Sequence, residues 1–319
     1  GAQPDEVVFT SGATESDNLV VFGIVEHAES AGLMHVITTA VEHKAVLEPV
    51  EVLSKRGFEI TILPVDENGW PTAEDLAGAL RDETVLVSTM HGNNETGVEL
   101  PLEDYAAVLS NHDAWWHVDA AQTYGKRNEV LSNKRIDLIS ISGHKVFAPK
   151  GIGALVVRRR GYERPPLTAL MYGGGQERGL RPGTLPVALV ASLGLAGQLA
   201  DQEAADRRES CEAFRKHVID ALDSLGAEVN GDPRRVLPHV VNASIPGVDA
   251  EAAIVAIKDL VAISNGSACT SASYEPSHVL TAMGLEEGRV AGALRISWNH
   301  ETPIPDWDAV TSRLSAITQ

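Results

Sequence analysis

Short runs of β-branched and apolar residues recur through the first two thirds of this chain, and that pattern constrains its fold more than any other feature. The runs are VVF, HVITT, EITILPV, TVLVSTM, AWWHVDA, DLISIS and GALVVRR. Each is short and flanked by turn residues, so each reads as a buried strand. Residues 15–30, 45–55, 72–80 and 102–111 read as helices between several of them. Strand–helix alternation predicts an α/β domain around a mostly parallel sheet, with its ligand at the carboxyl ends of the strands. From residue 185 to about 224 the pattern is helical. Beyond it VVNASI, AISNGSA and LRISWN read as strands and 249–258 as a helix. The expectation is a large domain over 1–203 and a smaller α+β domain over 204–319.

Composition narrows the class of function. A chain of 319 residues is long enough for two domains. Its formal charge of −18 disfavours a nucleic-acid partner, because phosphate-backbone binding depends on Lys and Arg. No stretch approaches the roughly 20 apolar residues of a membrane helix, and GAQPDEVVFT lacks the pattern of a signal peptide. A soluble, cytoplasmic protein is expected. Two cysteines do not make a disulfide framework. Cys211 lies in a helical stretch and reads as a small buried hydrophobe. Cys269 lies in SNGSACTSAS, a small-residue loop where a thiol is open to reaction.

Several strand ends bear side chains suited to chemistry. SGHK, residues 142–145, follows DLISIS, so Lys145 is poised to lose solvation and present a free amine for a Schiff base. The same tetrapeptide also suits a surface turn. HVDAAQ, residues 117–122, sets Asp119 where a carboxylate can pair with a protonated pyridine nitrogen or cap the following turn. SGATESDN, residues 11–18, opens a helix whose free amides suit an anion; Thr14 and Asp17 could equally form a capping box. His43 in VEHK can stack on a ring and shuttle protons, or be a satisfied strand-end histidine. Asn93 and Asn94 in MHGNNETG suit either a substrate carboxylate or a turn. GGGQERGLRPGTLP, residues 173–186, suits a phosphate, and Arg295 in LRISWN suits a bidentate carboxylate clamp.

Taken in order, SGATESDN, VEHKAVLEP, NNETG, HVDAAQ, SGHK, GGGQERGLRPGTLP and the GSACTSAS and EPSHVL strings resemble the NifS/IscS-type cysteine desulfurases. The resemblance implies a fold-type I pyridoxal-phosphate architecture, a homodimer, and conversion of L-cysteine to alanine with a persulfide left on the enzyme. It implies that Lys145 bonds the cofactor, Asp119 pairs with its pyridine nitrogen, Gln122 bonds its phenolic oxygen and His43 stacks on the ring. Ala13, Thr14, Ser142 and His144 would hold the phosphate, joined by Thr184 of the partner subunit. Asn94 and Arg295 would hold the substrate carboxylate, and Cys269 would attack its sulfur. No metal is implied.

The family's leading segment has no counterpart here, so a fragment of a longer enzyme with poor turnover is the expectation. The stretch through GTLPV also resembles desulfurases that serve DNA phosphorothioation. The sulfur acceptor is therefore open among an iron–sulfur scaffold, a phosphorothioation partner and a tRNA-thiolation partner. Two other readings compete: a selenocysteine lyase or related aminotransferase, and a truncated, catalytically silent subunit that only dimerises.

Overall fold

The computed structural model describes residues 1–265 and 276–317, and Cys269 lies outside them. The described residues form two compact units. The first comprises Gly1–Pro64, Pro71–Gly92 and Leu100–Glu203; the second comprises Val65–Trp70, Asn93–Glu99 and the chain from Ala204 onward.

All seven expected strands of the first unit form. They are β1 (Val7–Thr10), β2 (His35–Thr39), β3 (Glu59–Leu63), β4 (Thr84–Met90), β5 (Trp115–Asp119), β6 (Leu138–Ser142) and β7 (Gly153–Val157). They join in one sheet in the order β1-β7-β6-β5-β4-β2-β3. The run from β3 to β6 is parallel and β7 is antiparallel to both of its neighbours. β1 therefore runs the same way as β6, so six of the seven strands share a carboxyl-end face. Every residue of β2, β4, β5, β6 and β7 is buried, as expected for a parallel sheet covered on both sides.

The helices of this unit are α1 (Ala13–Gly23), α2 (Val25–Ala31), α3 (Lys44–Ser54), α4 (Ala73–Ala79), α5 (Leu102–Leu109), α6 (Asn128–Leu131) and α7 (Val187–Gln202). The single helix expected over 15–30 is two. The Gly23 carbonyl accepts from Thr168 N at 2.8 Å and Thr168 Oγ1 at 3.1 Å, rather than from the next helical turn. Thr72 caps α4 through a reciprocal pair with Asp75.

The second unit holds β8 (Glu228–Val229), β9 (Val240–Ser244) and β10 (Ala293–Ser297) in a three-stranded antiparallel sheet, with β9 central. Its helices are α8 (Ala204–Ser224), α9 (Ala250–Ile257), α10 (His278–Ala282), α11 (Glu287–Ala291) and α12 (Trp307–Ser315). Its core includes Phe214 stacked on Trp298, with Val218, Leu222 and Val241. The strand expected over AISNGSA is not extended among the described residues. Ser264 makes an isolated antiparallel bridge to Arg295, and part of that string falls outside them. No helix among the described residues is long and apolar enough to cross a membrane.

Gly153 illustrates how tightly β7 holds the loop before α1. A Cβ there would stand 2.4 Å from the Ile141 carbonyl oxygen and 2.5 Å from Gly12 Cα, both of them backbone atoms. Gly153→Ala is therefore expected to destabilise the protein by about 1–3 kcal/mol through overpacking, seen as a lower thermal midpoint. An unchanged midpoint would show that the loop before α1 yields freely.

Candidate active site

Because β1, β2, β5 and β6 end on the same face, the loops following them bring together side chains far apart in the sequence. β5 ends on Asp119, which is buried, and its Oδ1 accepts from Ala121 N at 2.8 Å. An Asp suits this place because its short carboxylate closes the turn two residues on. Burial raises its proton affinity above the usual carboxylate value; the Ala121 amide and the charges of His43 and Lys145 pull it back down. Two basic side chains, His43 from the turn after β2 and Lys145 from the turn after β6, thus bear on one buried carboxylate.

His43 caps α3, its Nδ1 accepting from Ala45 N at 3.1 Å, which leaves Nε2 to bear the proton of the neutral ring. Ser142 ends β6 in a buried position, and its hydroxyl lies 3.0 Å from His144 Nδ1. Lys145 follows in a tight 3-10 turn, Gly143–Val146, and is part-buried. Only glycine fits at 143, where a Cβ would stand 2.7 Å from the Ile152 carbonyl oxygen. Lys126, which sequence reasoning passed over, donates to the carbonyls of Gln122 at 3.0 Å and Lys145 at 3.4 Å. It lashes the turn after β5 to the turn after β6.

Ala13 and Thr14 open α1 behind Gly12; Ala13 is buried and Thr14 exposed. The capping box of Thr14 and Asp17, the alternative to an anion site, does not form. Glu15 instead takes the Ser11 amide, Oε2 at 2.7 Å, while Asp17 is 1% exposed and turned inward. The signal was in the spacing: residues 17, 20, 21 and 24 share the apolar stripe of a helix, and Asp17 occupies it with Val20, Val21 and Ile24. Its Oδ1 lies 3.5 Å from His117 Nε2. His117 spans Ser88 Oγ at 2.8 Å and Ser140 Oγ at 2.9 Å, and burial holds it at about 3, hence neutral.

Burial, and then the charge of Asp119, pushes Asp17 well above the ordinary carboxyl range. Burial likewise raises Glu42 to about 8, although Thr39 Oγ1 and Met90 N each donate to its Oε1 at 2.7 Å. Three acids therefore crowd this end of the sheet, and Glu42, next to His43, left no trace in the sequence pattern.

The donor set fits a phosphorylated pyridine aldehyde. Lys145 offers an amine, Asp119 a carboxylate for a ring N–H, and Ser142, His144 and the first-turn amides of α1 offer partners for a dianion. Gln122 is part-buried in the turn after β5, and Thr184 is exposed beyond the Gly-rich segment. In the second unit, Arg295 Nη1 donates to the Asn94 carbonyl at 3.2 Å, so these two are neighbours.

Known proteins sharpen this picture. The aminotransferase class-V family model matches residues 1–310. The cysteine desulfurase IscS of Escherichia coli O139:H28 is 44% identical over 298 residues, covering 93% of this chain and 73% of that protein. The crystal structure of DndA from Streptomyces lividans is 47% identical with a TM-score of 0.85, covering 94% of this chain and 84% of that one. A structure of SspA in complex with cysteine is 36% identical with a TM-score of 0.79, covering 93% and 82%.

The buried acids give the site a pH signature. Glu42 stays protonated in the folded chain up to about 8 but ionises from 4.5 once exposed. The folded state binds more protons across that window, so this group's stabilisation, full below 4.5, is lost as pH rises through it. His117 works oppositely: it is neutral when folded, so it costs stability as pH falls below its ordinary 6.5. In Glu42→Gln the melting-temperature gain over the parent should grow from about pH 5 to about pH 8. A pH-independent difference would mean that Glu42 does not titrate on unfolding.

Proposed function

The chain belongs to the class-V aminotransferase family and is a pyridoxal-phosphate-dependent cysteine desulfurase of fold type I, and we propose that Lys145, Asp119 and Cys269 carry its chemistry. The observation that supports this assignment is the buried Asp119 at the end of β5, beside a turn that Lys126 ties to the turn of Lys145. The cofactor, when bound, supplies an electron-withdrawing ring that acidifies the substrate Cα–H.

In this reading Lys145 would hold the cofactor through its aldehyde group and would move the proton at the substrate Cα. Its part-buried setting beside a histidine and Asp119 suits an amine that must be free to react. Asp119 would hold a proton on the ring nitrogen, Gln122 would serve the phenolic oxygen and His43 the ring. Ala13, Thr14, Ser142 and His144 bind the phosphate, with Thr184 of the partner subunit. Asn94 and Arg295 bind the carboxylate of L-cysteine. The Cys269 thiolate attacks the substrate sulfur; the S–S bond forms as the substrate C–S bond breaks. Alanine leaves after protonation of its β-carbon, and Cys269 retains a persulfide for an acceptor protein. Cys211, buried in α8, stays structural.

A homodimer is part of the proposal, since Thr184 serves the phosphate across an interface. The exposure of Tyr172, Val187 and Leu195, at 90%, 75% and 57%, supports a covered face on the first unit. Domains over 1–203 and 204–319, a cytoplasmic location, and delivery of sulfur to an iron–sulfur, phosphorothioation or tRNA-thiolation partner belong to the same reading.

With L-cysteine, pyridoxal phosphate and a thiol reductant to discharge the persulfide, the protein should release alanine and sulfide with no keto acid; a keto acid would indicate a transaminase. Borohydride should fix the cofactor to Lys145, and label on any other lysine would overturn that assignment. Cys269→Ser should keep the cofactor's visible absorbance yet lose sulfide release by at least ~100-fold, while Cys211→Ala stays active. The reverse pattern would exchange the roles of the two cysteines.

A further inference from the structure

Between Gly173 and α7 the chain makes a turn at which two residues other than glycine, Glu177 (φ 49°) and Arg178 (φ 58°), adopt left-handed backbone. Such conformations persist where side-chain contacts over-determine them. Here the contacts are to β1, the edge strand of the large sheet. Glu177 Oε2 accepts from Phe9 N at 2.7 Å, and Arg178 Nη2 donates to the Val7 carbonyl at 2.6 Å.

Residues two apart in a strand direct their backbone groups to the same side. The carboxylate therefore stands where a neighbouring strand's carbonyl would be, and the guanidinium where its N–H would be. The pair fills the open edge of β1 with side chains. Both bonds involve an ionised group, the stronger class of hydrogen bond.

The same segment is tied down twice more. Arg181 Nε pairs at 2.9 Å with Glu15 Oε1, and the other oxygen of Glu15 takes the Ser11 amide at 2.7 Å. Gln176 Oε1 accepts from Gly183 N at 2.9 Å, immediately before Thr184. The exposed Thr184 thus hangs from a strap fastened along β1 and to the first turn of α1.

We infer that Glu177 and Arg178 are positioning residues: by gripping the edge of β1 they hold Thr184 where it can bind the cofactor phosphate of the partner subunit. This rests on the reading of Thr184 given above. Neither side chain need touch the cofactor, and neither belongs to the reacting groups.

The test is a double-mutant cycle on the holoenzyme, read as the rate of pyridoxal-phosphate release on dilution, followed by visible absorbance. Thr184→Ala, Glu177→Ala and Arg178→Ala should each speed release about tenfold, the effect of losing one hydrogen bond to a charged group. Glu177→Gln, whose amide oxygen can still accept from Phe9 N, should stay within about twofold of the parent. In the double variant Glu177→Ala, Thr184→Ala, release should be no faster than in Thr184→Ala alone, because one residue acts through the other.

Multiplying effects in the double variant, or parental release in both Glu177→Ala and Arg178→Ala, would overturn the inference. If Thr184→Ala itself releases cofactor at the parental rate, the assignment of Thr184 fails and the inference falls with it. The cofactor-release rate of Glu177→Gln separates loss of the grip from general damage to the fold: release as fast as in Glu177→Ala would count against the grip.

Discussion

Removing a carboxylate from water is the constraint around which the first unit is built. An ionised acid in a dry interior costs several kcal/mol unless cations or donors compensate it. Two solutions appear at opposite ends of the same strands. At the amino end, Asp137 precedes β6 and is met by Arg135 at 2.8 Å and by Arg160 at 2.6 Å, with the Trp116 amide at 2.7 Å. That acid is matched and structural. At the carboxyl end, burial and the charge of Asp119 raise the proton affinity of Asp17 and Glu42, and the histidine nearest Asp17 is held neutral. Of these three, the acid left ionised is the one the reading assigns to the cofactor, Asp119, an arrangement suited to a positively charged ring that arrives with the cofactor.

Much of this was legible in the sequence, for a physical reason. A strand buried on both faces must be continuously apolar, so each run announced itself, and a parallel sheet must place its reactive loops at the strand ends. Asp119, Ser142, His144 and Lys145 were found where a run of Val, Ile or Leu gives way to polar residues. What stayed hidden depends on contacts between distant segments. The break after Gly23 is imposed by Thr168, which no local propensity anticipates. Glu42 lies between Val41 and His43, and only the approach of the Met90 amide makes it a buried group. Asp17 was readable in principle, since a polar residue on an apolar helical stripe marks a buried polar group, but capping chemistry nearby offered a simpler role.

The edge of the sheet shows the same principle with the opposite accounting. An open strand edge exposes unpaired backbone groups that other chains can pair with. β3, at one edge, is the most exposed strand of the sheet. β1, at the other, is closed by Glu177 and Arg178 at a conformational cost of roughly 1–2 kcal/mol for each left-handed residue. A hydrogen bond to a charged group contributes about 1.5–3 kcal/mol, so the grip and the strain nearly offset. A strap that is held but not over-stabilised takes its position from β1, and β1 in turn takes its own from the antiparallel pairing with β7. The placement of Thr184 is therefore set by the sheet that also places Asp119 and Lys145. In the proposed dimer, one rigid element would fix both the pocket in its own subunit and the hydroxyl offered to the partner, so a single fold would set the geometry of both sites.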